Sequence, residues 1–421
     1  MEESTRVLSN GLEVILLPNH SLPMVRVKGW IKAGPALAGS TWLGKFVSQM
    51  LESGTRNYTK KEFGDALDEH ALEYDVEPST TSNFFVEWKG TLIRAYLSEF
   101  LELAGESLIF PSFPDEELGK LKKRMEAAMR SNESDPEFRA ENEVMRMLYG
   151  PSHPNYSLPT EEAIVQIRGM RGEDILHFWE ERYLPNTSGL VVVGDFDAEA
   201  AFAAVQEVFS QWSAREDTQD PVEEDKDHIN DFGAEEGYDE RTVYLPDKAN
   251  AVLWIGQRIP ISATHPDYPA LCTAVNAFGG SFHSRFVQHV REKLGLSYYL
   301  RALLDDMNTI PGHFSIFVHT KPDNMQRTHE ETWLLLGGFC KNGITQEELD
   351  QEKATASGRL AFGRLSFKGI AKEVVTDKII GMTRQELEKK ILALDLDEVN
   401  QAVREYLDPS RMKVVQAGTL Q

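Results

Sequence analysis

The chain has 421 residues, 41% hydrophobic and 26% charged, with a formal net charge of −23 at pH 7. That length allows two domains with sizeable cores, while the surplus of Asp and Glu argues against a nucleic-acid partner, whose phosphates bind through Lys and Arg that displace counterions. No apolar run reaches membrane-spanning length, the Met1-Glu2-Glu3-Ser4 start lacks the basic region and apolar core of a signal peptide, and two cysteines, Cys272 and Cys340, imply no disulfide framework. No membrane partner is expected, and the compartment stays open: cytoplasmic for a complete chain, exported for a fragment of a longer precursor.

In chain order, residues 6–212 read as two strands, two helices and a third strand, then several helices, a buried strand at Leu190–Gly194 and a closing helix at Ala198–Trp212. Residues 216–240 are dense in Asp and Glu, with Pro221, Gly233 and Gly237 interleaved. This composition reads as a solvated linker; a patch that steers basic peptides is the alternative. Residues 241–421 then repeat the earlier order. Strands are predicted near Thr242–Leu245 and Ala251–Gln257, helices at Tyr268–Ala277 and Phe282–Lys293, and strands at Leu296–Leu304 and His313–Thr320. Long helices follow at Asn324–Lys341 and Gln346–Leu365, with a last strand at Met412–Ala417. The repetition predicts an α+β protein of two homologous domains, 1–213 and 241–421, joined by an acidic linker at 214–240. Each domain is expected to be a largely antiparallel sheet with helices packed on one face.

Residues 278–299 carry the densest information. Gly279 and Gly280 permit a tight turn, Ser281 suits an N-cap, and Phe282, Phe286, Val287 and Val290 recur at helical spacing up to Lys293. Gly295 suits the position just past the helix, and a strand follows from Leu296. Arg291 then lies in the last helical turn and Tyr298 near the strand start. A guanidinium and a phenol placed together are donors suited to a carbonyl oxygen that gains negative charge. The same spacing equally suits an arginine capping helix carbonyls and a half-buried core tyrosine.

The whole phrase resembles the second-half signature of the pitrilysin-type metallopeptidases, relatives of insulin-degrading enzyme and mitochondrial processing peptidase, which runs roughly Gly-Gly-x-x-x-Ser-Arg-Leu-x-x-x-x-Arg-Glu-x-x-Gly-Leu-x-Tyr. Similar segments recur along the chain: Asn10-Gly11-Leu12-Glu13-Val14-Ile15-Leu16, Trp30-Ile31-Lys32-Ala33-Gly34, Phe110-Pro111-Ser112-Phe113-Pro114, Tyr183-Leu184-Pro185-Asn186 and Gly189-Leu190-Val191-Val192-Val193-Gly194-Asp195. The resemblance implies a mitochondrial-processing-peptidase-like fold, built as one half of a two-half enzyme. It also implies that Arg291 and Tyr298 bind substrate and stabilise the tetrahedral intermediate for the other half. Ser281, Phe282 and Arg285, on the same turn, are candidate peptide contacts; each is equally compatible with a cap, a core residue or a surface charge.

In the family's active half, an inverted motif His-x-x-Glu-His supplies two zinc ligands and a general base. The matching stretch here is Gly44-Lys45-Phe46-Val47-Ser48-Gln49-Met50-Leu51-Glu52-Ser53-Gly54-Thr55. Lys45 and Gln49 stand at the histidine positions and Ser48 at that of the base. The third ligand position, a glutamate in the family, falls at Ala128 or one residue earlier at Ala127. A lysine ammonium offers no lone pair and its charge opposes Zn²⁺, so no metal is expected here. Elsewhere no His-x-x-Glu-His or His-Glu-x-x-His occurs; Asp68-Glu69-His70 is the best remaining cluster and reads as a solvated helix surface.

These readings predict no cofactor in this chain, with zinc carried by a homologous partner half or subunit and peptides as substrates. The second reading is a structural subunit that keeps the fold without the chemistry, as core subunits of the respiratory bc1 complex resemble this family. An independent metallopeptidase with an unfamiliar site is the third.

Overall fold

The computed structural model describes residues 3–38, 40–214 and 237–420. Most of the expected acidic linker, 215–236, lies outside the described residues.

Two sheets organise the chain. The first has the order β1-β2-β6-β3-β5-β4, from Ser4–Val7 (β1), Glu13–Pro18 (β2), Met24–Ile31 (β3), Glu73–Pro78 (β4), Val86–Ile93 (β5) and Ser188–Gly194 (β6). The second has the order β7-β11-β8-β10-β9, from Asp239–Tyr244 (β7), Ala251–Arg258 (β8), Leu300–Asp305 (β9), His313–Thr320 (β10) and Lys413–Gly418 (β11). Setting β1 aside, the two orders superimpose: β2·β6 and β7·β11 are parallel, and every other neighbouring pair is antiparallel. The internal repeat expected from sequence is therefore present in strand order and direction.

Burial follows from composition. β6 (Ser-Gly-Leu-Val-Val-Val-Gly) is buried at every position, as a central strand with parallel and antiparallel neighbours requires. Glycine sits where a tryptophan crosses a neighbouring strand: Gly29 leaves no room for a Cβ beneath Trp88, nor Gly189 beneath Trp30. Larger residues there would displace indoles that are 2% and 6% exposed.

Contacts divide the chain into two compact units that are not contiguous in sequence. One comprises Met1–Glu126, Ala163–Asp225 and Phe362–Ile379; the other comprises Ala127–Glu162, Lys226–Ala361 and Ile380–Gln421. In the first unit, helices Leu97–Ile109 and Ala198–Phe209 cover one sheet face, where Phe209 stacks on Trp88 at 6.0 Å. The other face receives helix Phe367–Ile380, whose Ile370, Ala371, Val375 and Ile379 pack on Ile15, Leu17, Trp30, Val191 and Val193. In the second unit, helices Tyr268–Val275, Met325–Asn342 and Leu396–Tyr406 share a core with Leu253, Ile255, Phe314, Ile316 and Val414. Its opposite face receives helix Pro136–Leu148, through Ala140, Val144 and Leu148 against Val252, Trp254, Phe317 and Val415.

The α+β class and the two homologous sheets stand as expected. Where helices on one face alone were foreseen, each sheet carries one further helix on the second face, taken from the other half of the sequence. The reason is the strands' apolar content: residues of both parities are hydrophobic in β2, β6, β8 and β11, so both faces need cover.

Candidate functional site

The segment that holds Arg291 and Tyr298 lies in the second unit. Helix Tyr268–Val275 widens into a π-helical segment, Asn276–Gly280, and ends at Ser281, which is extended at φ −141° and ψ 165°. Ser281 is thus the end of one helix and not the expected N-cap of the next. That position belongs to Ser284, whose N–H and hydroxyl both donate to the Ser281 carbonyl, at 3.1 and 2.5 Å. Phe282 consequently precedes the helix, which runs Arg285–Val287 and continues as a second π-helical segment, Gln288–Lys293.

Phe286, Val287 and Val290 anchor this helix in the core. Gly295 closes it at φ +63°, and the Leu296 N–H reaches back 3.0 Å to the Val290 carbonyl, a glycine-dependent stop. The strand starts at Leu300 and not at Leu296, because pairing with β10 begins at Leu300 opposite Val318. Ahead of it, the Tyr299 carbonyl accepts the His319 N–H at 2.9 Å and the Ser297 hydroxyl at 2.9 Å. Leu296 and Ser297 are buried, and Tyr298 turns outward.

The structure brings Phe282, Arg291 and Tyr298 together. The Arg291 guanidinium carbon lies 4.9 Å from the Tyr298 ring centre and 5.1 Å from that of Phe282. The Arg291 side chain is 26% exposed, whereas Tyr298 is 83% and Phe282 69% exposed. Attraction between the cation and two ring faces, on the order of 0.5–1 kcal/mol per exposed pair, holds the guanidinium between them. Its Nε faces Glu292 at 3.2 Å. Neither its terminal nitrogens nor the Tyr298 hydroxyl has a hydrogen-bond partner among the described residues. The arrangement can therefore offer two donors, of which one is a fixed positive charge, to an acceptor arriving from solvent.

Arg285 is committed elsewhere. Its guanidinium grips Glu348 through two bonds, 2.9 and 2.6 Å, and approaches the Gly343 carbonyl at 3.4 Å. Glu348 also caps the helix Gln346–Gly363 by accepting the Thr345 N–H at 2.8 Å.

At the positions that the resemblance aligns with the zinc motif, in the first unit, helix Thr41–Met50 carries Lys45, whose ammonium sits 5.1 Å from the Trp42 ring centre. The fully buried Ser48 hydroxyl donates to the Lys45 carbonyl at 3.0 Å, and Gln49 Oε1 accepts from Arg124 at 2.9 Å. Ala127 and Ala128 are exposed on helix Asp115–Asn132. His70, of the Asp68-Glu69-His70 cluster, stacks on Tyr96 at 4.2 Å. Among the described residues no three metal-ligating side chains converge.

One residue of that phrase went unremarked in the sequence. Glu52 follows the helix in the apolar run Met50-Leu51, where a carboxylate is out of place, and its Oε1 accepts the Val76 N–H of β4 at 3.2 Å. Burial, then the neighbouring Asp75, pushes its pKa up to about 7.

Residues 170–356 match the family described as Peptidase M16 inactive domain. The chain is 23% identical over 404 residues to the Helicobacter pylori protein named non-peptidase homolog YmxG, covering 94% of this chain and 89% of that one. Its fold is similar to the crystal structure of a peptidase M16 inactive domain from Pseudomonas fluorescens, with a TM-score of 0.83, 20% identity and coverage of 100% of this chain and 98% of that one. It is also similar to the ferredoxin protease FusC, solved in complex with Arabidopsis ferredoxin, at a TM-score of 0.72 and 15% identity; the match covers all of this chain but 45% of FusC. Residues 170–356, less than half of the chain, match that family model, and over nearly its full length the chain is similar in sequence to a named non-peptidase homologue and in fold to a peptidase M16 inactive domain.

Proposed function

We propose that this chain serves as the non-zinc half of a two-half metalloendopeptidase, holding a peptide for a homologous half that carries the His-x-x-Glu-His motif. The observation that carries the reading is the Arg291–Tyr298 pair: a guanidinium and an exposed phenol in contact, each with open donors, on a chain whose described residues gather no metal-ligating cluster. Coverage of 45% of the longer FusC chain supports a half-sized unit. The partner's zinc would activate the attacking water. Tyr298 donates its O–H to the oxygen that gains charge as the scissile carbonyl becomes tetrahedral, and Arg291 holds a substrate carbonyl beside it. Phe282 walls the guanidinium on its second side and offers an apolar surface to a substrate side chain; Ser281, half-buried at the helix end, borders the same turn.

The test is cleavage of a fluorogenic peptide by this chain alone, by a zinc-bearing homologue alone, and by the two mixed. Activity in the mixture well above either component supports the proposal, and full activity from this chain alone overturns it. The competing reading is a structural subunit without chemistry, consistent with the non-peptidase name of the Helicobacter relative. Turnover unchanged by Tyr298→Phe in the mixture favours that reading.

A further inference from the structure

The junction between helix Thr41–Met50 and β4 contains a titratable contact that the proposed function does not use. β4 is the terminal strand of its sheet, so its outer edge has no strand partner among the described residues. Two links from the end of the helix cross to that strand. The Tyr74 hydroxyl donates to Ser107 Oγ at 2.9 Å, and Ser107 donates in turn to the Leu51 carbonyl at 3.2 Å. Two residues along the strand, the Val76 N–H donates to Glu52. The first link contains groups that stay neutral across the physiological range: burial holds the Tyr74 phenol well above its ordinary pKa. The second ends on a carboxyl group.

The charges that act on Glu52 come from two sides. Asp75, its neighbour on β4, disfavours ionisation and is itself paired with Lys89 at 2.8 Å. Lys60, at the start of helix Lys60–Glu69, favours ionisation but is engaged by Glu117 at 2.7 Å. Behind Tyr74 lies the buried, neutral phenol of Tyr183. Burial is the largest influence and acts in the same direction as Asp75; the bond from the Val76 N–H, like Lys60, favours the ionised form but is outweighed by these two.

We infer that Glu52 is a pH-sensitive latch between the helix at the former zinc position and the terminal strand β4, closed while its carboxyl is protonated and loosened once it ionises beside Asp75. The direction follows from linkage. With its pKa raised in the folded state, the group's stabilising contribution is complete below the ordinary carboxyl pKa and is lost as pH rises through about 7. Loosening releases the Val76 N–H on the outer edge of β4.

Hydrogen exchange of the amides of residues 73–78, corrected for intrinsic rates, tests this on the whole chain at pH 6 and pH 8.5. Protection in the native sequence should fall about tenfold between the two, the equivalent of roughly one pKa unit. Glu52→Gln should abolish that pH dependence, and Asp75→Asn, which removes the repulsion, should shift its midpoint to lower pH. Constant protection in the native sequence, an unchanged pH dependence in Glu52→Gln, or an unmoved midpoint in Asp75→Asn overturns the latch.

Discussion

Arg291 and Arg285 are six residues apart on one helix, yet the structure gives them different chemistry. Arg291 keeps donors open beside two exposed rings, whereas Arg285 spends its planar fork on Glu348. The consequences of substitution should differ accordingly. Arg285→Ala leaves the half-buried Glu348 without its main partner and should lower unfolding stability by about 1–3 kcal/mol, read by chemical denaturation. Arg291→Ala should leave that stability within about 0.5 kcal/mol of the native chain, because its contacts are exposed. In the mixture with a zinc-bearing half, Tyr298→Phe should lower kcat about a hundredfold, the equivalent of about 3 kcal/mol for one lost oxyanion donor.

At the scale of elements, the phrase at 278–299 was legible in its helix, its glycine stop and the relative placement of Arg291 and Tyr298. Its details were not. Ser281 and Ser284 are both serines before an apolar run, and what selects Ser284 is the extended backbone after the π-helical segment that precedes it. Likewise the strand reads apolar from Leu296, but its start at Leu300 is set by where β10 finds partners. Helix Pro136–Leu148 illustrates the same dependence, since its stripe of Ala140, Val144 and Leu148 does not announce which sheet it covers. Because Leu148 is 2% exposed and packs against Gly256, Leu148→Ala should destabilise the second unit by about 2–4 kcal/mol, measured as a shift in its denaturation midpoint.

For the whole molecule, acid should be the destabilising direction where His153 is concerned. Burial first, then the charges of Arg258 and His313, press its pKa down to about 4. Between the ordinary histidine pKa near 6.5 and that value, the unfolded chain binds a proton that the folded chain refuses. Stability present above pH 6.5 is therefore lost as pH falls toward 4, by roughly 2–3 kcal/mol. His153→Phe should flatten that part of a stability-against-pH curve recorded by denaturant titration. Zinc should have no part in folding: chelation should leave the thermal midpoint unchanged, since no set of three ligating side chains gathers among the described residues.

By itself the sequence determined the class of fold and the repeat, because both rest on local evidence: apolar periodicity and the order of strands and helices. Tertiary structure alone decided that each sheet borrows a helix from the other half of the sequence, that Arg285 binds Glu348 while Arg291 stays open, and that Glu52 meets the edge of β4. These outcomes depend on which distant surfaces come into contact, and an apolar stripe or a charged side chain carries no mark of its eventual partner.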